Sequence, residues 1–214
     1  MQLSHIQEFV HQKMDGDVTG HDYWHAQRVV NLAVGLYQQE QIQDEIDNQE
    51  MLILAAYLHD TIDDKLVGDP NQAIVEVKSL LGQEGISEVN QAEILYIIEH
   101  MSFSANLGQK QPLSLVGQCV QDADRLDAIG AIGIARAFAY GGAHKQVIYD
   151  PEIQPIEIQD KSAYRNHPST SINHFYEKLL KLKDLMNTQA GRHEAIRRTD
   201  YMQKFLQEFK DEIV

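Results

Sequence analysis

Cysteine is almost absent from this chain, which has a single one, Cys119, among its 214 residues. A lone cysteine excludes an internal disulfide and is typical of a reducing compartment. Its neighbours Leu115, Val116 and Val120 are apolar, so we expect Cys119 to be a core residue rather than a catalytic thiol. No apolar run approaches the ~20 residues of a membrane span, and Met1–His5 shows no signal-peptide pattern. The expected location is the cytoplasm, with no membrane partner.

Basic residues are also scarce, at 18 Lys and Arg against 32 Asp and Glu, which gives a formal net charge of -14. A field of this sign repels nucleic acid and anionic lipid at long range. We therefore expect no nucleic-acid partner. A small phosphate ester remains compatible with the chain if a metal ion and local lysines offset the field. The apolar fraction of 43% is that of an ordinary globular protein.

Alternating strand patterns are missing, and apolar residues recur at helical spacing instead. Asp69-Pro70 and Ser87 resemble helix starts. The predicted helices span 4–14, 22–39, 51–60, 70–82, about 88–101, one long or two short helices over 113–139, 170–187 and about 192–211.

Prolines are few, and three of the five (Pro151, Pro155 and Pro168) lie within residues 141–168. A long irregular stretch inside a compact domain is usually functional or mobile, so this stretch is a candidate lid. No linker or repeat is visible. We predict one all-α domain over residues 1–214, with a core at about 20–140 and C-terminal helices over 169–211. The oligomeric state is left open.

The dipeptide His59-Asp60 follows a nearly continuous apolar run, residues 51–58. A buried charge without a partner is costly, so such a pair persists where a metal ion or a dense hydrogen-bond network satisfies it. Asp63 and Asp64 follow closely. The local pattern indicates a metal-binding corner with spare carboxylates.

Two more candidate ligands are His25 and Asp124, which stand far from this dipeptide in the chain. Two imidazoles and two carboxylates suit a divalent first-row metal ion with open positions for water and substrate. Alternatives exist at both places. His21 and His25 at i, i+4 could make a two-histidine site by themselves, and Asp122 competes with Asp124. Asp127 is expected to support the site or the packing of its helix.

The chain resembles the HD-domain metal-dependent phosphohydrolase superfamily, whose signature is a His, an adjacent His-Asp pair and a distant Asp on different helices. His25, His59-Asp60 and Asp124 match these positions in order. Further matches are His-x-x-Arg-Val at 25–29 and Asp-Ala-Asp-Arg-Leu-Asp at 122–127. The flanks at 124–133, 138–142 and 174–179 are most similar to the stand-alone bacterial group that includes the YpgQ and YedJ proteins.

This resemblance implies an all-helical fold with a metal site between helix ends and hydrolysis of phosphate esters or anhydrides. The expected substrates are nucleotides, and the reaction favoured is release of pyrophosphate from (d)NTPs. Alternatives are a nucleoside monophosphate phosphatase, an alarmone (ppGpp) hydrolase, or a non-catalytic nucleotide-sensing module. The expected cofactor is one divalent metal ion, with Mn or Mg favoured over Co, Ni, Fe or Zn.

The resemblance also suggests roles for residues around the four ligands. Related guanosine-tetraphosphate hydrolases carry Glu-Asp where this chain has Asp63-Asp64, so these two carboxylates are the catalytic candidates, with Asp64 the better one to orient water. His144, His167 and His193 are expected to be exposed. The candidate phosphate or substrate contacts are Arg28, Lys65, His100, Arg125 and Lys178.

Overall fold

The computed structural model describes residues 2–40, 46–63, 67–106, 109–157 and 167–213. Within these ranges the chain is helical and contains no strand, so the all-α prediction is confirmed. The helices are α1 (Leu3–Lys13), α2 (Tyr23–Gln39), α3 (Ile46–Leu58), α4 (Pro70–Gln83), α5 (Glu88–His100), α6 (Leu115–Asp127), α7 (Gly130–Ala143), α8 (Ser171–Glu177) and α9 (Gln189–Glu212). The described residues also form two 3-10 segments, Ser104–Asn106 and Leu179–Leu185. None of the described helices combines the length and apolar character needed to cross a bilayer.

Polar side chains begin several of these helices where the sequence indicated. The carboxylate of Asp69 accepts hydrogen bonds from the first amides of α4, and the hydroxyl of Ser87 accepts one from the amide of Asn90 in α5. Asp22 accepts a hydrogen bond from the amide of His25 at 2.8 Å. Such caps satisfy amides that have no partner inside the helix. The cap at Asp22 also fixes His25 in the first turn of α2.

The centre of the core lies where α2, α3 and α6 pack against one another. From residue 51 to its end α3 is apolar on all sides, and Leu52, Leu54 and Leu58 are fully buried. A helix of this kind belongs in the interior. Cys119 on α6 is buried as predicted, and burial raises the pKa of its thiol to about 12.

The segment 113–139, for which one or two helices were predicted, forms α6 and α7 with a tight turn between them. Gly130 has φ +76°, a conformation that favours glycine. A Cβ at Gly133 would lie 2.2 Å from the carbonyl oxygen of Ala128. The two glycines therefore allow α7 to begin directly against the end of α6.

The prediction of one helix over 170–187 was wrong. α8 ends at Glu177, and the chain continues as the 3-10 segment Leu179–Leu185. The predicted apolar stripe is nevertheless buried, including Phe175, Leu179 and Leu182. In a 3-10 helix, side chains three residues apart lie above one another, so Leu179 and Leu182 share one side as they would in an α-helix.

Candidate metal centre and adjacent cavity

His59 and Asp60 lie in the turn that follows α3, because this helix ends at Leu58 rather than at the predicted residue 60. The Nδ1 atom of His59 donates to the carbonyl of Ala56 at 2.8 Å, and the hydroxyl of Thr61 donates to the carbonyl of Leu58 at 2.7 Å. These bonds satisfy carbonyls at the helix end. They also place the proton of neutral His59 on Nδ1, which leaves the lone pair of Nε2 directed into the interior.

His25 presents its Nε2 atom to the same point from α2. The imidazole is fully buried, and its Nε2 lies 3.1 Å from Nε2 of His59. Its Nδ1 donates to the carboxylate of Asp127 at 2.7 Å, so the Nε2 of the neutral ring also carries a lone pair. Two lone pairs that face each other at this distance repel unless a proton or another cation lies between them.

The carboxylates of Asp60 and Asp124 complete the cluster. Nε2 of His25 is 3.3 Å from Oδ2 of Asp60 and 3.5 Å from Oδ1 of Asp124. Nε2 of His59 is 3.4 Å from Oδ1 of Asp60 and 3.8 Å from Oδ1 of Asp124. The structure thus brings together all four side chains that the sequence singled out. Donor atoms of His25, His59 and Asp60 all lie within 4.8 Å of one another, close enough to hold one metal ion.

The charges of the cluster favour a bound cation. Burial lowers the pKa of His59, but the charge of Asp60 and its hydrogen bond outweigh this and raise it to about 9. Burial raises the pKa of Asp60, but the neighbouring imidazoles hold it well below its ordinary value. Oδ2 of Asp60 is buried and accepts no hydrogen bond from the residues that the structure describes. A carboxylate oxygen without a hydrogen bond beside two imidazole Nε2 atoms is the donor set of a divalent metal ion, which would take the place of the proton between the rings.

Asp127 supports the cluster from behind. It lies one turn after Asp124 on α6 and is 1% exposed. Besides the bond from His25, it accepts hydrogen bonds from Nε and Nη2 of Arg28 at 2.7 and 3.0 Å and from Nη1 of Arg136 at 2.9 Å. Burial raises the pKa of Asp127, but the hydrogen bonds from His25 and Arg28 lower it further than burial raises it. One helix therefore directs carboxylates at both nitrogens of His25.

The alternative ligands take other positions. Asp122 is fully buried on another side of α6, where it accepts hydrogen bonds from Asn187 and from Thr188 at 2.8 to 3.0 Å. The ring of His21 is centred 5.9 Å from that of His25, and its Nδ1 lies 3.2 Å from the hydroxyl of Thr19. Asp122 therefore ties α6 to the start of α9, and His21 lies beside the cluster.

The predicted catalytic and phosphate-binding residues are spread more widely. Asp63 is half-buried in the turn after α3, and its amide donates to the carbonyl of Asp60 at 3.1 Å. Asp64 and Lys65 lie outside the described residues. The guanidinium of Arg28 is bound to Asp127.

Arg125 and His100 both have backbone partners. Arg125 is buried and donates to the carbonyl of Leu185, and burial lowers its pKa. Nδ1 of His100 donates to the carbonyl of Tyr96 at 2.8 Å, and the two rings stack. Among the described residues, neither side chain makes a hydrogen bond to the metal cluster, although the charge of Asp124 acts on the neighbouring Arg125.

A cavity of about 440 Å³ lies beside the cluster. Its walls come from the segment before α2, from α7, from α8 and from the residues that precede α8. Lys178 lines it, with Nζ 4.9 Å above the ring of Phe103. The polar or charged residues along its walls include Thr19, His21, Arg136, Tyr140, His144, Gln146, His167, Ser169, His174, Glu177 and Lys178.

Arg136 and His167 line the cavity but were not predicted from the sequence to be site residues. Arg136 connects the cavity to the cluster, and the signal for it was a single charge inside the apolar helix α7. His167 was expected to be exposed, but it is half-buried and its Nε2 lies 2.9 Å from Oε1 of Glu177. His167 lies in the segment before α8 and Glu177 at the end of that helix, so the helical spacing of the sequence does not predict that the two side chains meet. His144 and His193 are exposed as predicted.

Comparisons with known proteins place this site in a family. A family model described as HD domain matches residues 23–129, a range that includes all four clustered side chains. The Bacillus subtilis protein YpgQ is 37% identical over 216 residues, which cover 99% of this chain and 94% of YpgQ. The chain belongs to the HD domain family. Membership confirms the resemblance stated above and makes the chain an HD-type metal-dependent phosphohydrolase.

Solved structures of related proteins have the same fold along nearly the whole chain. A Lactobacillus plantarum protein matches with a TM-score of 0.86 at 45% identity, covering 99% of this chain and 96% of its own. An HD-superfamily hydrolase of Bacillus thuringiensis matches with a TM-score of 0.73 at 39% identity, and the match covers 99% of this chain and 96% of the hydrolase. YpgQ, crystallised in complex with ADP, matches with a TM-score of 0.76 at 32% identity, and the match covers 99% of this chain and 98% of the YpgQ chain. The likeness extends beyond the HD match to α7 and α8, which line the cavity.

Proposed function

We propose that this chain hydrolyses nucleotides, and that its reaction is release of pyrophosphate from (d)NTPs. The observation that carries the proposal is the convergence of His25, His59, Asp60 and Asp124 beside a cavity with basic side chains. The ADP complex of YpgQ supports a nucleotide ligand.

The four clustered side chains would hold one divalent metal ion, with Mn or Mg favoured. When bound, such an ion lowers the pKa of a water molecule and polarises a phosphoryl oxygen. Asp127 keeps the proton of His25 on Nδ1, and the carbonyl of Ala56 does the same for His59. Both imidazoles therefore direct Nε2 at the cluster without having to rotate, and a bound cation would replace the proton that the raised pKa of His59 favours there. Asp63, in the turn after α3, and Asp64, the next residue in the sequence, are the proposed carboxylates that orient the attacking water.

The cavity is the proposed nucleotide site. Its volume of about 440 Å³ falls within the ~300–1,000 Å³ of small-molecule pockets. Lys178 and Arg136 supply positive charge at its wall in a chain whose formal net charge is -14. Lys178 is therefore a proposed phosphate contact. A local cluster of cations of this kind concentrates a small anion although the whole molecule repels polyanions.

The direct test is a screen of NTPs, dNTPs, NMPs and ppGpp with Mn, Mg, Co and Ni, followed by product analysis. We expect metal-dependent turnover of dNTPs or NTPs that yields the monophosphate and pyrophosphate. Orthophosphate from NMPs would instead assign a phosphatase, and pyrophosphate from the 3' position of ppGpp an alarmone hydrolase. Binding without turnover of any nucleotide would assign a sensor and contradict the proposal.

Variants tie the activity to the cluster. Asp60→Ala should abolish turnover, because it removes the carboxylate whose oxygens lie 3.3 Å from Nε2 of His25 and 3.4 Å from Nε2 of His59. Asp211→Ala, on an exposed position of α9, is the matched control and should keep wild-type rates. Robust turnover by Asp60→Ala would remove the proposed role of the cluster.

A further inference from the structure

Arg136 joins the cavity to the buried network behind His25. Its Nη1 atom donates to Oδ2 of Asp127 at 2.9 Å and lies 3.2 Å from Nδ1 of His25. The same side chain lines the cavity. Its Nε and Nη2 make no hydrogen bond to the residues that the structure describes. A guanidinium has five N–H donors in a planar fork, so one edge can bind Asp127 while another faces a ligand.

The position of this guanidinium is fixed by its surroundings. The side chain is 14% exposed, and its stem crosses the backbone at Gly20, which has φ +94°. A Cβ at Gly20 would lie 2.6 Å from Cγ of Arg136, closer than carbon atoms approach. The glycine therefore makes room for the arginine stem, and Asp127 holds its end. A donor held in this way loses little side-chain entropy when it binds a ligand.

The charges around Arg136 select an anion. Arg136 and Lys178 are cations of the cavity wall, and four of the ten histidines of the chain line it as well. Glu177 is the one carboxylate among the described lining residues. Its oxygens are 2.9 Å from Nε2 of His167 and accept a hydrogen bond from Ser169 at 2.8 Å. The negative charge of Glu177 is thus already engaged within the wall.

We infer that Arg136 binds the phosphate chain of the substrate in this cavity through the edge of its guanidinium that does not face Asp127. The identity of the ligand as a nucleotide rests on the function proposed above, whereas the contact itself requires only a polyphosphate anion. Arginine suits this role because its fork matches two phosphate oxygens at once. Arg136 would then contact both the bound phosphate and Asp127, the carboxylate that supports His25.

The test measures binding of inorganic tripolyphosphate to the metal-free protein in EDTA by isothermal titration calorimetry. We expect Arg136→Gln to weaken binding by about tenfold or more, since it removes a charge-assisted phosphate contact. The matched control is Arg198→Gln, because Arg198 is a half-buried arginine bound to Glu194 and to the carbonyl of Leu126, and it should bind as the wild type does. Unchanged binding by Arg136→Gln, or no binding by the wild type, overturns the inference.

A second variant covers the case in which Arg136→Gln fails to fold. Arg136→Lys keeps a positive charge beside Asp127 but lacks the planar fork, so we expect it to fold and to bind tripolyphosphate several-fold more weakly. Wild-type affinity in this variant would overturn the inference. The readout needs no turnover, so a chain that binds tripolyphosphate without hydrolysing nucleotides would contradict the proposed function alone.

Discussion

Replacing Asp127 by asparagine should weaken metal binding although Asp127 touches no predicted metal position. The wild-type carboxylate accepts four hydrogen bonds, from His25, from two nitrogens of Arg28 and from Arg136. An asparagine of the same shape has one oxygen and an amide group that cannot accept. The variant therefore leaves two arginines without a counter-charge and no longer fixes the proton of His25 on Nδ1.

The size of the effect follows from burial. Removing one partner of a buried ion pair costs about 3–5 kcal/mol, and Arg28 is 35% exposed, so water compensates part of the loss and the lower end applies. For a chain of this size, a loss of about 3 kcal/mol lowers the melting temperature by roughly 6–12 °C. Loss of a partner that orients a ligating histidine lowers metal affinity about 10–100-fold.

The assay combines thermal melting of the metal-free protein with calorimetric titration of Mn. Asp122→Asn is the matched control, because Asp122 is equally buried on the same helix but bonds to Asn187 and Thr188. We expect the control to lose stability and keep its Mn affinity. Equal Mn affinities for wild type and Asp127→Asn, or equal losses in both variants, would refute the reasoning.

Acid should weaken the same network. The folded pKa of Asp127 lies below its ordinary value of 3.8, so its contribution to stability is complete above that value. The contribution is lost as the pH falls through the lower folded pKa. Melting temperatures measured between pH 5 and pH 2 should therefore fall less steeply for Asp127→Asn than for the wild type.

The remaining predictions concern the scaffold at Cys119, Gly133 and Ser87. Burial raises the pKa of Cys119 to about 12, so the native chain should resist a thiol reagent at pH 8 that labels one site in urea. Since this folded pKa is raised, stability should decline as the pH rises from ~9 towards 12. Gly133→Ala should lower the free energy of unfolding, measured by urea denaturation, by about 1–3 kcal/mol, because its Cβ would clash with the carbonyl oxygen of Ala128. Gly142→Ala should leave the free energy of unfolding unchanged, because the space around Gly142 is open. Ser87→Ala should cost about 1 kcal/mol through loss of its helix cap, and an unchanged urea midpoint would contradict this.

Much of the helical scaffold could be predicted because its signals are local. The caps at Asp69 and Ser87 and the apolar character of α3 each depend on neighbouring residues. The end of α3 was misplaced by two residues because side-chain bonds from His59 and Thr61 terminate it, and such bonds leave no periodic signal. The break after Glu177 was missed because α and 3-10 geometry bury the same leucines.

The four clustered side chains could be anticipated from the family pattern, and support from Asp127 was among the expectations, whereas the contact of Arg136 with Asp127 could not be anticipated. Arg136 reaches Asp127 from a different helix, and nothing in a mostly apolar segment specifies which partner a single charge will find. Arg125, expected near phosphate, instead bonds to the backbone at Leu185. Asp64 and Lys65 lie outside the described residues, so their roles remain predictions, as does the candidate lid over 141–168.

The most direct test of the central claim is the anomalous scattering of Mn in crystals of this protein. We predict one strong peak per chain, at bonding distance from Nε2 of His25 and of His59 and from carboxylate oxygens of Asp60 and Asp124. A peak elsewhere, or none in crystals grown with excess Mn, would contradict the claim that these four groups share one ion.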